Sequence, residues 1–200
     1  MIPFVALAAG ALFVASSGMT VPAAGAVSYE IDSEHTHVSW SVDRFGFART
    51  MGSFVAPTGQ IRFDAGNLAN SSVEAQVSMG NLRSDLAERE DIVRGKFWVN
   101  AAANPVASFR STAVTVLEPV DGKPHLRVEG VLDFAGRQAP AAFDVTINKQ
   151  GKDPVTGRAA IGISARGAIS RKTFGLAAAP QLIGDEIEIR IESVAIAPPS

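Results

Sequence analysis

The stretch HVSWSVDRFGFARTMGSF, residues 37–54, decides how the chain is read. Val38, Trp40 and Val42 alternate with Ser39, Ser41 and Asp43, which is the period of a β-strand with one apolar and one wet face. Continuing that phase sets Arg44 on the apolar side, among Phe45, Phe47 and Phe54. A cation on an inward face needs an acceptor, because burying a charge without one is costly. If the strand stays regular, Phe45 and Phe47 point away from Arg44. Gly46 is expected as a bend, and Gly52 as a turn or bulge towards the next strand.

The same period recurs along the chain. Val73, Ala75, Val77 and Met79 alternate with Glu74, Gln76 and Ser78. Phe143, Val145 and Ile147 alternate with Asp144, Thr146 and Asn148; Ile187, Ile189 and Ile191 alternate with Glu186, Glu188, Arg190 and Glu192. Further strands are expected near 58–64, 105–117, 125–134 and 158–170. Asp121-Gly122 is a hairpin signal, and Asp153-Pro154 and Gly184-Asp185 mark turns. One segment, SDLAEREDIVR at 84–94, reads as a helix, with Ser84 as its cap and Gly95 as its C′ residue. Leu82, Leu86 and Val93 would share its apolar face. Roughly eight antiparallel strands with one main helix predict an all-β fold, a closed barrel or a sandwich.

Composition narrows the function. The chain has 200 residues, a net charge of −2 and no cysteine. Near-neutral charge argues against nucleic acid, and no block of like charges forms a polybasic membrane patch. The first 26 residues hold no Lys, Arg, Asp or Glu. An apolar run from Phe4 to Ala15 leads to Ala24-Gly25-Ala26, an A-x-A cleavage pattern. The run is too short for the roughly 30 Å of a bilayer core. Residues 1–26 are therefore expected to be a cleaved signal peptide, although no cation precedes the run, and 27–200 a single domain.

Catalytic patterns are sparse. His35 and His37 in EHTH lie two apart, on one face of a strand, and could bind a metal with His125, Asp32 or Glu34 as a third ligand. A metal-dependent enzyme using that pair is one alternative. Gly162-Ile163-Ser164 is not followed by the glycine of a nucleophile elbow, and no phosphate-loop or zincin motif appears. What stands out is apolar. Trp40, Phe54, Phe63, Phe97, Trp98, Phe109, Phe134, Phe143 and Phe174 are spread over the chain. They form either the packed core of a structural or interaction β-domain, or in part the lining of a cavity for an apolar ligand.

Several segments together, in order, carry a resemblance: YEIDSEHTHVSWSVDRFGF, a strand ending IRFD, the helix running into GKFW, NPVASFRST, VEGVLDFAGRQAPAAFDVTI, GAISRKTFGL and IGDEIEIRIESVAI. Over about residues 28–196 the chain resembles the YceI-like family of exported, lipocalin-like polyisoprenoid-binding proteins. The resemblance implies an eight-stranded antiparallel barrel closed partly by a helix. It also implies an apolar tunnel for an isoprenoid lipid such as a quinone's tail, no catalysis and no further cofactor. Periplasmic location, a homodimer and transient membrane contact for lipid loading are implied too. The family often has histidine where this chain has Arg44 and Asp91, whereas His35 is kept. Ligand contacts are accordingly expected from Val38, Trp40, Val42, Arg44, Phe54, Phe63, Phe97, Trp98, Phe109, Phe134, Phe143 and Phe174, with a ligand carbonyl or Asp91 as the acceptor for Arg44.

Overall fold

The computed structural model describes residues 25–199. The expected leader therefore lies outside the described residues, except for Gly25 and Ala26. The strands are β1 (Val27–Ile31), β2 (His37–Arg44), β3 (Ala48–Phe54), β4 (Thr58–Phe63), β5 (Ser72–Ser78) and β6 (Leu82–Arg83). After α1 (Ala87–Arg94) come β7 (Val106–Val120), β8 (Lys123–Phe134), β9 (Arg137–Lys152), β10 (Ala159–Ser170) and β11 (Ile183–Ile196).

All pairings are antiparallel, in the order β1-β4-β5-β7-β8-β9-β10-β11-β2-β3-β6. A further β1–β11 pairing closes β1, β4, β5 and β7 to β11 into an eight-stranded barrel. The free edge of β11 serves two partners in succession. Residues 187–192 pair with β2, and Ala195 and Ile196 pair with Ile31 and Glu30 of β1. The β2–β3–β6 extension thus leaves the ring at the end where α1 sits.

Alternation builds the walls. On β8 and β9, Leu126, Val128, Phe143, Val145 and Ile147 are buried, while Arg127 and Asp144 pair at 2.9 Å on the wet face. Asp121-Gly122 makes the expected hairpin with both φ values positive, and Ala135-Gly136 makes another. At Phe45-Gly46 φ is +58° and +71°, and the Phe47 amide donates to the Arg44 carbonyl. This turn breaks the regular alternation, so Phe45 does not point away from Arg44. Its ring lies under the guanidinium, 4.8 Å from centroid to Cζ.

Gly52 is not a turn. It sits inside β3 directly opposite Trp40, and the indole occupies the space a side chain would need. Gly130 and Gly167 lie in the same way under Phe109 and Phe143. The helix starts later than its sequence pattern suggests. Ser84 is no cap, because its hydroxyl is engaged by the amide and carbonyl of Leu86 ahead of the helix, and Leu86 takes the cap position without a capping side chain. Gly95 has a φ of −65°, so it does not use the left-handed C′ geometry. Leu82 is buried in β6 and Leu86 is half exposed, so Leu82, Leu86 and Val93 do not form one packed helix face.

Candidate functional site

The barrel is not solid. A cavity of about 400 Å³ runs within it, inside the range of about 300–1,000 Å³ typical of small-molecule sites. Its wall is built from the inward positions of most strands: Val38 and Val42, Ile61, Val77, Phe109, Val128, Ile161 and Ile189 are examples. At the end away from the helix the hydroxyls of Thr36 and Ser193, both buried, hydrogen-bond to each other at 2.9 Å. At the other end α1 contributes Arg89, Ile92 and Val93.

Most of the residues singled out from sequence meet here. Val38, Trp40, Val42, Arg44, Phe54, Phe63, Trp98, Phe109, Phe134 and Phe143 all line the cavity. Two do not. Phe97 follows the helix where no strand phase fixes it, and it is 77% exposed, with the Lys96 ammonium over its ring. Phe174 is buried behind the wall, edge-on to Phe134 at 5.6 Å. Phe109 and Phe143 meet edge-on at 5.1 Å, each lying over a glycine of the neighbouring strand.

Arg44 keeps the phase of Val38, Trp40 and Val42 and lines the cavity, but at its rim, where it is exposed. Asp91 is not its partner: that carboxylate binds Arg94 at 2.9 Å. Among the described residues no carboxylate lies within 4.0 Å of the Arg44 guanidinium.

Arg171 escaped the sequence reading. It directly follows β10, is 3% exposed and lines the cavity. Its Nη1 donates to the carbonyls of Ile183 and Gly184, both at 3.0 Å, and Nη2 donates to that of Ala178. The indole of Trp98 lies against it, 5.1 Å from centroid to Cζ. Burial pushes the guanidinium below the ordinary arginine range, partly offset by the Asp185 carboxylate. Asp185 itself is held down by hydrogen bonds from the Ser170 hydroxyl and the Lys172 amide. Two buried side-chain donors lack a partner among the described residues, Arg171 Nε and Trp40 Nε1, and both belong to lining residues. A signal for Arg171 was present: Ile161, Ile163, Ala165 and Ile169 line the wall, and the same period of two carries on to residue 171.

The histidines lie elsewhere. His35 is mostly exposed and binds Asp32 at 2.8 Å, and His37 is exposed. Neither lines the cavity, and among the described residues no cluster of three or more His, Cys, Asp or Glu could hold a metal.

Comparison with known proteins fits this architecture. The YceI-like domain model matches residues 29–195. The chain belongs to the YceI-like family. A UPF0312 protein of Pseudomonas fluorescens is 30% identical over 172 residues, covering 84% of this chain and 87% of the relative. One of Yersinia pestis is 31% identical, covering 85% and 86%. The crystal structure of Burkholderia cenocepacia BcnA superimposes with a TM-score of 0.71 at 24% identity, over 82% of this chain and 99% of that one. A polyisoprenoid-binding domain from Saccharophagus degradans has a TM-score of 0.62 at 14% identity, over 86% and 99%. At these identities the two structures speak for the shared barrel.

Proposed function

We propose that the protein is a periplasmic carrier that holds a long-chain isoprenoid lipid, quinone-like or polyprenyl, in the barrel cavity. The observation that carries this reading is the continuous apolar lining inside the closed ring of strands. Each methylene moved from water into such a lining contributes about 0.8 kcal/mol before the costs of association. A lipid tail can therefore be held by the wall alone, while polar groups at one end select its head. The fold shared with a polyisoprenoid-binding domain supports the same ligand class. The role is binding without catalysis: the charged lining residues are arginines, which stay protonated and exchange no proton near neutral pH.

Export rests on the apolar leader pattern ending in Ala24-Gly25-Ala26. Loading would need contact with a membrane, and the cavity's rim is suited to it. Phe45 and Phe47 stand exposed at the β2–β3 tip beside Arg44, and Leu182, bonded to Phe45 through its carbonyl, is also exposed. The homodimer implied by the resemblance remains part of the same proposal.

The test is mass spectrometry of organic extracts of protein purified from the periplasm. The expected result is a stoichiometric lipid with an isoprenoid tail. Protein that carries no lipid, and that binds no isoprenoid analogue once purified, overturns the reading.

A further inference from the structure

The charge set of the cavity lining is one-sided. Its charged members are Arg44, Arg89 and Arg171; among the described lining residues there is no Asp, Glu, Lys or His. All three belong to the helical end. Arg171 binds the carbonyl of Ile183, and Ile183 is the strand partner of Arg44. Trp98, stacked on Arg171, adjoins Val99, whose amide binds the carbonyl of Val93, and Val93 is one helical turn from Arg89.

The carboxylates nearby are committed to other groups. Asp85 pairs with Arg89 from the solvent side, Asp43 caps the Gly46 amide, and Asp91 and Glu90 hold Arg94. Asp185 takes the Ser170 hydroxyl and the Lys172 amide. Arg171 is bound only to neutral carbonyls, and its buried Nε has no partner. Three carbonyl dipoles fix that guanidinium in place, the Asp185 carboxylate offsets its charge only in part, and a buried charge short of a direct partner is costly. A neutral head, such as a quinone carbonyl, would satisfy one donor and leave the charge. An oxyanion would satisfy both, and the guanidinium fork matches the geometry of carboxylate and phosphate oxygens.

We infer that the bound lipid ends in an oxyanion, a phosphate monoester or a carboxylate, seated at the helical end against Arg171 and Arg44 with its tail running down the barrel. This rests on the lipid-carrier reading above and adds the chemistry of the head group.

The test is a titration of delipidated protein, followed through the emission of Trp40 and Trp98, the chain's two tryptophans, both in the lining. The probes are farnesyl monophosphate, farnesoic acid, farnesol and a quinone of the same tail length. At least one anion should bind about tenfold or more tighter than farnesol, as expected for charged hydrogen bonds. Whichever anion wins identifies the oxyanion. Arg44→Gln, at the exposed rim, should lower anion affinity several-fold more than farnesol affinity, and Arg171→Met should cut the preference further; an anion preference unchanged in Arg44→Gln overturns the head-group inference. Should Arg171→Met fail to fold, Arg44→Gln decides alone. Equal affinity for farnesol and both anions, or a preference for the quinone, overturns the head-group inference and leaves the carrier reading standing. Failure of every probe to bind overturns both.

Discussion

Replacing Gly52 by alanine puts a methyl where the Trp40 indole now lies. The new carbon would sit 2.3 Å from Cζ2 of that ring and 2.6 Å from the Arg83 carbonyl oxygen, against 3.4 Å for ordinary contact. To reach ordinary contact from 2.3 Å the ring must move by about 1.1 Å, and its open side is the cavity. Overpacking of this kind costs about 1–3 kcal/mol, and the loss of unfolded-state freedom at glycine returns about 0.4–1 kcal/mol. A net loss near 1–2 kcal/mol should lower Tm by about 2–8 °C. Thermal unfolding followed by far-UV circular dichroism on Gly52→Ala, Trp40→Leu and the double variant would measure the coupling. The clash with the Arg83 carbonyl persists in the double variant, so the coupling term, about 0.5–3 kcal/mol for groups in contact, reports the ring alone. Effects that add to within about 0.5 kcal/mol would refute the claim that Gly52 exists to seat Trp40.

Other expectations are separable. Phe174→Ala should cost about 3–5 kcal/mol through the void behind Phe134, whereas Phe97→Ser should stay within about 0.5 kcal/mol in denaturant melts; similar values for both would contradict the placement of these rings. The hydrogen bond that His35 Nδ1 donates to the Asp32 carboxylate, then that carboxylate's charge, raises the pKa of His35 above its ordinary value of about 6.5. The linked stability is therefore complete below that value and lost as pH rises through the raised pKa. In an NMR titration Asp32→Asn should bring the His35 transition down, and an unmoved transition would exclude the pair. Phe47→Ser should slow lipid transfer to and from vesicles with no change in Tm; unaltered transfer would remove this ring from the membrane-contact proposal.

Period-two alternation made the walls legible, because a barrel strand facing a lumen and one facing a core write the same pattern. It carried Val38, Trp40, Val42 and even Arg44 to the right face. Alternation ends where strands end, so it gives no phase for Phe97 and Phe174, both in turns and neither lining the cavity, and the turn at Phe45 reverses the expected relation of ring and cation. Gly52 reads locally as a turn or bulge because its reason lies across the sheet, in a register that no local pattern encodes. Arg171 was legible in principle, one step beyond the phase of β10. The closure of the barrel by β1 was not, since it depends on which of two strands claims the last residues of β11.

That closure has a mechanical consequence. The ladders around the barrel are long, with β10 and β11 in register over eleven residue pairs, yet the cylinder is fastened by only two, Glu30 with Ile196 and Ile31 with Ala195. The wall is in effect a rolled sheet held by a small clasp near the C-terminus, flanked by the Asp32–Val194 and Ala197–Ala159 backbone bonds. The clasp is the shortest ladder in the ring, so closure of the cylinder rests on fewer residue pairs than any other junction of the wall.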